Sequence, residues 1–113
     1  MIQWEENPRG DYNLITLKGE AGKDDIEALE QEFKEILARN PSEIILDLSQ
    51  MENLPLYFVV FLIRLGKIAD PAQGKLEIFS MPPHYRFILE TAGLDGYFIF
   101  HSSLDFIPES ASS

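Results

Sequence analysis

The chain has 113 residues, of which nineteen are Asp or Glu and nine are Lys or Arg, so its formal net charge is −10. This length fits one domain with its own hydrophobic core. The excess of acids argues against a nucleic acid partner, because binding to the phosphate backbone relies on Lys and Arg. The absence of cysteine excludes disulfides, thiolate zinc sites and thiol nucleophiles.

The N-terminal residues lack the basic and apolar regions of a signal peptide, so we expect a cytoplasmic protein. The most apolar stretch runs from Leu54 to Ile63 without a charged residue. Arg64 and Lys67 interrupt it well before the roughly 20 residues of a membrane span. We therefore expect no membrane association from this segment.

The first predicted unit is a β-hairpin, with strands at Ile2–Glu6 and Tyr12–Lys18. The intervening letters "NPRGD" are typical of a turn. They contain Arg9-Gly10-Asp11, an integrin-binding tripeptide, which we assign to the turn because nothing else indicates secretion.

The next segment, "KDDIEALEQEFKEILARNP", predicts an amphipathic helix whose inner stripe is Ile26, Leu29, Phe33, Ile36 and Leu37. Asp24 and Glu27 have the spacing of a capping box. Glu30 with Lys34, and Glu35 with Arg39, have the spacing of helical ion pairs. We interpret the remaining acids as a solvated face rather than a metal or partner site.

Alternating strands and helices are then predicted. "SEIILDLS" is a central strand, and a helix at Leu56–Ala69 follows, with Asn53 as cap, Pro55 in its first turn and an end at Asp70-Pro71. "KLEIFS" is a short strand. A third helix starts at Pro82 and Pro83, holds the apolar run Phe87, Ile88 and Leu89, and ends at Gly93 and Leu94 in a Schellman cap.

"YFIFHS" is the last predicted strand, and "SLDFIPESASS" begins as a helical turn and ends as a polar tail. The order ββαβαβαβ, followed by a C-terminal turn or helix, predicts an α/β fold with a mixed four- to five-stranded sheet and packed helices. We expect one domain over residues 1–108 and a loose tail over 109–113.

Three phrases in this order resemble the STAS domain of bacterial anti-sigma factor antagonists, the SpoIIAA-like proteins. "LITLKGE" looks like the family's second strand with its Gly-Glu ending, here Gly19 and Glu20. "EIILDLSQM" resembles the central strand and its Asp-Leu-Ser exit, here Asp47, Leu48 and Ser49. "LETAGLDGYF" resembles the end of the third helix, with Ala92 inserted between Thr91 and Gly93.

The resemblance implies a regulatory role and a switch at the start of the second helix. Family members carry Asp-Ser-Ser-Gly-Leu there, and a kinase phosphorylates the second serine to release an anti-sigma factor. The matching residues here are Pro55 to Val59, so the acid and both serines are missing. Tyr57 occupies the position of the phosphorylated serine, and we do not expect a serine kinase to accept it. We expect Ser49 to end a strand and Ser80 to cap a helix.

The second helix is apolar on two stripes. Val59, Leu62, Ile63 and Gly66 match positions that face the sheet in the family, while Phe58, Phe61, Leu65 and Ile68 form another stripe. A neighbouring helix, or the C-terminal segment around Phe106 and Ile107, could cover that second stripe. Alternatively, the helix start is a docking surface for a protein, with a polar rim at Arg64 and Lys67. The residues of this predicted docking surface are Asn53, Leu56, Tyr57, Phe58, Val60, Phe61 and Arg64.

No enzymatic signature is present: the chain has no Walker loop, no GxSxG elbow and no metal-ligand spacing around His84 and His101, which we interpret as lone surface residues. We therefore predict a non-catalytic bacterial regulator without cofactor or metal, which binds an anti-sigma factor or a related protein. Two alternatives remain. One is a ligand-sensing module with a pocket beside Asp47, Asn53 and Glu20; the other is a structural subunit that self-associates, for example as a homodimer.

Overall fold

A computed structural model describes residues 2–39, 43–73, 75–105 and 107. The strands are β1 (Ile2–Arg9), β2 (Tyr12–Glu20), β3 (Glu43–Asn53), β4 (Leu76–Phe79) and β5 (Phe98–His101). The helices are α1 (Asp25–Arg39), α2 (Leu56–Gln73) and α3 (Pro83–Thr91), and a 3-10 turn spans Asp95–Tyr97. The predicted order ββαβαβαβ is confirmed. Of the predicted C-terminal turn, the structure describes a bond from the Ile107 N–H to the Leu104 carbonyl at 3.0 Å, and the remainder lies outside the described residues.

The five strands form one mixed sheet, as predicted, and their order in it is β1-β2-β3-β4-β5. β1 is antiparallel to β2, and the other three pairings are parallel. Each parallel connection steps to the next strand in the same direction, so right-handed crossovers place all three helices on one face of the sheet. One core cluster accordingly joins buried residues of every helix, including Phe33, Phe61 and Leu89, to inward-facing strand residues.

Helix α1 follows the predicted amphipathic pattern. Leu29, Phe33 and Ile36 are buried, while Ile26 and Leu37 pack at the edge of the core. The predicted pair of Glu30 with Lys34 is confirmed at 3.3 Å.

Two predictions at the ends of α1 are wrong. The described structure gives Asp24 and Glu27 no side-chain hydrogen bond, so the capping box is not formed; instead the carboxylate of Asp25 accepts the N–H of Gly22 at 2.9 Å. Arg39 pairs with Glu6 of β1 at 3.0 Å instead of Glu35, because the end of α1 lies beside the hairpin. Both contacts depend on tertiary placement, which the spacing along the helix does not encode.

Helix α2 is buried on both apolar stripes. Val59 and Leu62 are buried on the first stripe, and Phe58, Phe61 and Leu65 are buried on the second, each no more than 2% exposed. The rings of Phe58 and Phe61 meet edge to face with centroids 5.4 Å apart. The predicted cover by a neighbouring helix is therefore confirmed, since α1 packs against α2 within the same core cluster.

The helix-free face of the sheet has a separate small cluster. Leu14 and Ile45 are buried there together with Ile107, and Leu104 and Phe79 pack at its edge. Ile107 therefore covers the opposite face of the sheet rather than the second stripe of α2, and Phe106 lies outside the described residues. Leu104 and Ile107 are thus part of the fold, on the face of the sheet opposite to α2.

Several element boundaries differ from the predictions. β1 continues through Pro8 to Arg9, which an edge strand tolerates because the missing N–H of proline can face away from the pairing. The turn of the hairpin is therefore only Gly10-Asp11, with Gly10 at φ 61°. α2 continues past Pro71 to Gln73, because a proline in the last turn removes one backbone bond without ending the helix.

The Schellman cap at the end of α3 is confirmed. Gly93 has φ 73°, and its N–H donates to the Glu90 carbonyl at 3.1 Å. The Leu94 N–H donates to the Leu89 carbonyl at 2.9 Å. These are the two bonds that define the motif.

At the start of α3, the N-cap is Pro82, which makes no side-chain cap bond, so the predicted capping role of Ser80 is wrong. Ser49 likewise lies inside β3 rather than at its end, because that strand runs on to Asn53. Within the described part of the chain, no helix is long and apolar enough to cross a membrane.

The burial of α2 predicts a sharp contrast between neighbouring positions. Phe61→Ala should lower the free energy of unfolding by about 3–5 kcal/mol, because it removes a fully buried ring. The matched control Val60→Ala, at a half-exposed position of the same turn, should cost less than about 1 kcal/mol. Urea denaturation followed by circular dichroism measures both, and equal costs would contradict the burial of the second stripe.

Candidate functional site at the start of helix α2

Helix α2 starts directly after the longest strand of the sheet. Asn53 ends β3 and is paired in register with Glu20, the last residue of β2. Pro55, predicted in the first turn, instead directly precedes Leu56, the first residue of α2, and its carbonyl accepts the N–H of Phe58 at 3.0 Å. The described structure gives Asn53 no capping bond, and its side chain is exposed, so its predicted capping role is wrong.

Two tyrosine hydroxyls fix this helix start. Tyr57 of α2 donates to the backbone carbonyl of Ala21 at 2.5 Å, which ties the first turn to the loop after β2. Tyr85 of α3 donates to the carbonyl of Leu54 at 2.7 Å. The Lys23 ammonium lies 5.6 Å from the centre of the Tyr57 ring, within the range of a cation–π contact. Tyr57 is thus tied into the fold by its hydroxyl.

The predicted docking residues divide into three groups. Leu56 and Val60 are 61% and 52% exposed, and Asn53 is also exposed. Tyr57 is half-buried with its hydroxyl bonded. Phe58 and Phe61 are 0% and 1% exposed, so including them in a surface was wrong: they fill the space between α1, α2 and the sheet.

Arg64 is exposed, but its charge is already partnered. Its guanidinium lies 2.6 Å from the carboxylate of Glu30 on α1, and that carboxylate also meets Lys34. Glu30 therefore links the outer sides of α1 and α2. Arg64, predicted as part of a polar rim, is therefore exposed but paired, and it offers less free charge than an unpaired arginine would.

A second helix contributes apolar surface that the sequence analysis missed. Phe87 and Ile88 of α3 are 67% and 47% exposed, while Leu89 beside them is buried. Tyr85 and Leu89 form the inner side of α3, and their four-residue spacing was the available signal that Phe87 points outward. We call Leu56, Val60, Phe87 and Ile88 the α2–α3 patch. They are four of the five large hydrophobic side chains that are exposed in the described residues.

The start of α3 lies next to the start of α2, because the Tyr85 hydroxyl reaches the Leu54 carbonyl. Both helices also lie on the same face of the sheet. Each residue of the α2–α3 patch leaves in water an apolar side chain whose full burial would contribute about 1.5–3 kcal/mol. Large exposed apolar side chains on neighbouring elements make this patch a candidate interaction surface.

The polar residues of the predicted ligand pocket are used locally. Asp47 is buried, and its carboxylate accepts the N–H and the hydroxyl of Ser49 at 2.9 and 2.6 Å. Glu20 and Asn53 are both exposed at the ends of their strands.

The two histidines differ from each other. His84 is exposed against the ring of Tyr85, as expected. His101 is not a lone surface residue: its Nε2 lies 2.8 Å from the buried carboxylate of Glu77, because both side chains project from the helix-free side of adjacent strands. Within the described residues, no group of three or more metal-ligating side chains comes together.

A comparison with models of known protein families assigns this chain to a family. The family model described as "Mlab, STAS domain" matches residues 7–104, which is most of the chain. The chain belongs to the STAS domain family. The predicted resemblance is therefore confirmed, and its three sequence phrases lie within the matched region.

Solved structures agree with this assignment. An anti-sigma factor antagonist from Mycobacterium paratuberculosis has a TM-score of 0.72 at 23% identity, over 93% of this chain and 89% of its own. The antagonist SpoIIAA in its unphosphorylated form gives a TM-score of 0.70 at 14% identity, over 93% and 91%. The phosphorylated form of Bacillus SpoIIAA has a TM-score of 0.67 at 15% identity, over 93% of this chain and 95% of its own. At these identities the likeness shows the shared SpoIIAA-like fold, and none of the curated proteins compared with the chain matches it.

The bond of Tyr57 predicts a measurable stability difference. Tyr57→Phe removes the hydroxyl and leaves the carbonyl of buried Ala21 without its donor, so it should lower the free energy of unfolding by about 1–2 kcal/mol. The control is Tyr97→Phe, whose hydroxyl has no hydrogen bond within the described structure and whose change should stay within about 0.5 kcal/mol. Thermal denaturation measures the stability of both variants. Equal losses of stability in the two would show that the Tyr57 hydrogen bond contributes nothing of its own.

Proposed function

We propose that this STAS domain is a non-catalytic regulator that binds a protein partner, such as an anti-sigma factor or a related regulator, through the α2–α3 patch. The observation that carries the proposal is the exposure of Leu56, Val60, Phe87 and Ile88 on α2 and α3, two helices whose starts are joined by the bond from Tyr85 to Leu54, in a small domain whose other apolar residues are mostly buried. The family gives the regulatory setting, since solved relatives with this fold are anti-sigma factor antagonists.

The chemistry of the surface supports steady rather than switched binding. The serine whose phosphorylation would add nearly two negative charges is replaced by Tyr57. Its hydroxyl is committed to the Ala21 carbonyl, so a phosphate there would have to break a bond that fixes the helix start. We therefore propose that phosphorylation at this position does not regulate binding, and that the interface is apolar instead of tuned by charge.

The rim of the patch provides a polar border. Arg64 and Lys67 lie on the solvent side of α2, one and two turns beyond Val60, and both are exposed. An apolar centre with arginine at its border has the composition of a protein interface. Leu56 and Phe87, the two most exposed apolar side chains, would bury the largest area at its centre.

The proposal predicts which variants lose the partner. Tagged wild type, Leu56→Asp and Phe87→Asp are incubated with lysate of the source cells, and retained proteins are identified by mass spectrometry. Each aspartate should reduce retention of the same protein at least about tenfold, because a charge in an apolar interface centre costs more than about 1.4 kcal/mol.

The matched control is Gln31→Asp, which adds the same residue at an exposed position of α1 and should retain the partner fully. Circular dichroism establishes that all variants are folded. Retention of one protein by wild type and by both patch variants would refute the patch as the interface. Light scattering separates self-association: a wild-type dimer that Leu56→Asp converts to a monomer would identify a second copy as the occupant.

A further inference from the structure

A cleft of about 300 Å³ opens at the carboxyl ends of β4 and β5, beside the first turn of α3. It lies away from the outward side of α3 that carries Phe87, since Arg86 on the cleft side stacks over Phe100 of β5. Its volume is at the lower end of the range for small-molecule sites. The carboxyl ends of parallel strands are also where α/β folds commonly bind ligands.

The lining of the cleft combines an apolar wall with a positive group. Phe79, Met81, Pro83 and Phe100 form the wall. Ser80, Arg86, His101 and Ser102 supply the polar atoms. No carboxylate is among these residues, although the chain carries nineteen acids and a net charge of −10. Such a cleft suits an anion that also has an apolar body.

Arg86 is the group that would meet the charge. Arg39 and Arg64 are each paired with a glutamate, whereas within the described structure Arg86 has no carboxylate partner. Its guanidinium carbon lies 4.9 Å from the centre of the Phe100 ring, which holds it against the wall and leaves its N–H groups for a ligand. A guanidinium fits a carboxylate in a bidentate arrangement.

The backbone of the cleft is held in an uncommon conformation. Ser80 has φ 70° and is the only described non-glycine residue in the left-handed region. Within the described structure its hydroxyl has no hydrogen-bond partner. Strained backbone of this kind is concentrated at ligand sites, where the surrounding fold maintains it for a purpose. The strain therefore presents an unpaired hydroxyl at the cleft.

From these observations we infer that the cleft binds a small organic carboxylate with an aromatic or branched apolar body. Arg86 would bind the carboxylate, the Ser80 hydroxyl would donate to it, and the apolar body would lie against Phe79, Met81 and Phe100. His101 would serve as a fixed part of the wall, because its ring is held by Glu77. This site is separate from the α2–α3 patch and does not depend on the function proposed for it.

The test is a titration of ¹⁵N-labelled protein with phenylacetate, followed by amide chemical shifts. Saturable shifts should appear at Ser80, Met81, Arg86 and Ser102. The neutral isostere phenylacetamide should bind at least about tenfold more weakly, because it lacks the charge that the guanidinium recognises.

Arg86→Gln should weaken phenylacetate binding at least about tenfold. The control Arg39→Gln, at the end of α1 beside the hairpin, should leave phenylacetate binding unchanged. Amide dispersion in the same spectra establishes that both variants are folded. The inference is overturned by the absence of saturable shifts in the cleft or by equal binding of phenylacetamide. Unchanged binding to Arg86→Gln would also overturn it, and so would equal binding of inorganic phosphate, which lacks an apolar body.

Discussion

The burial of helix α2 on two sides is the constraint on which the rest of this structure depends. Phe58, Phe61 and Leu65 on one stripe, and Val59 and Leu62 on the other, all belong to the core cluster that also contains residues of α1 and of the sheet. A helix buried on one stripe could shift along the sheet at modest cost, but one packed on two sides is fixed in position by the close packing of protein interiors. The start of α2, and the surface around it, is therefore held rigidly.

Two tyrosine hydroxyls add to this rigidity. Tyr57 extends to the Ala21 carbonyl, and Tyr85 of α3 holds the Leu54 carbonyl. The start of α2 is therefore tied both to the loop after β2 and to α3.

The sequence predicted the element order well, because several elements have a clear apolar pattern and others have clear end signals. Leu29, Phe33 and Ile36 at helical spacing and the continuous run at Ile44–Leu48 leave little ambiguity, and Gly93 specified the end of α3 through its positive φ. The candidate site was harder to predict. The apolar residues of α2 looked alike in the sequence, and only packing against α1 separates buried Phe61 from exposed Val60.

Other features had a weak local signal or none. The bond from Tyr57 to Ala21 joins residues 36 positions apart, and that of Arg39 to Glu6 joins residues 33 apart. The exposure of Phe87 and Ile88 depends on which side of a short helix meets the sheet, and two turns of helix offer too few residues for a reliable period. The left-handed conformation of Ser80 is likewise imposed by the loop between β4 and α3 rather than by its residue type.

The central claim is that α2 belongs to the core, with only its outward side available to a partner. Native-state hydrogen exchange of the free chain tests this most directly, because amides in the most stable part of a fold exchange only through global unfolding. The account predicts that the amides of Val59 to Ala69 are protected to the same free energy as those at the centre of β3. Fast exchange throughout α2, with protection confined to the sheet, would contradict it and would make α2 a mobile element instead of a fixed one.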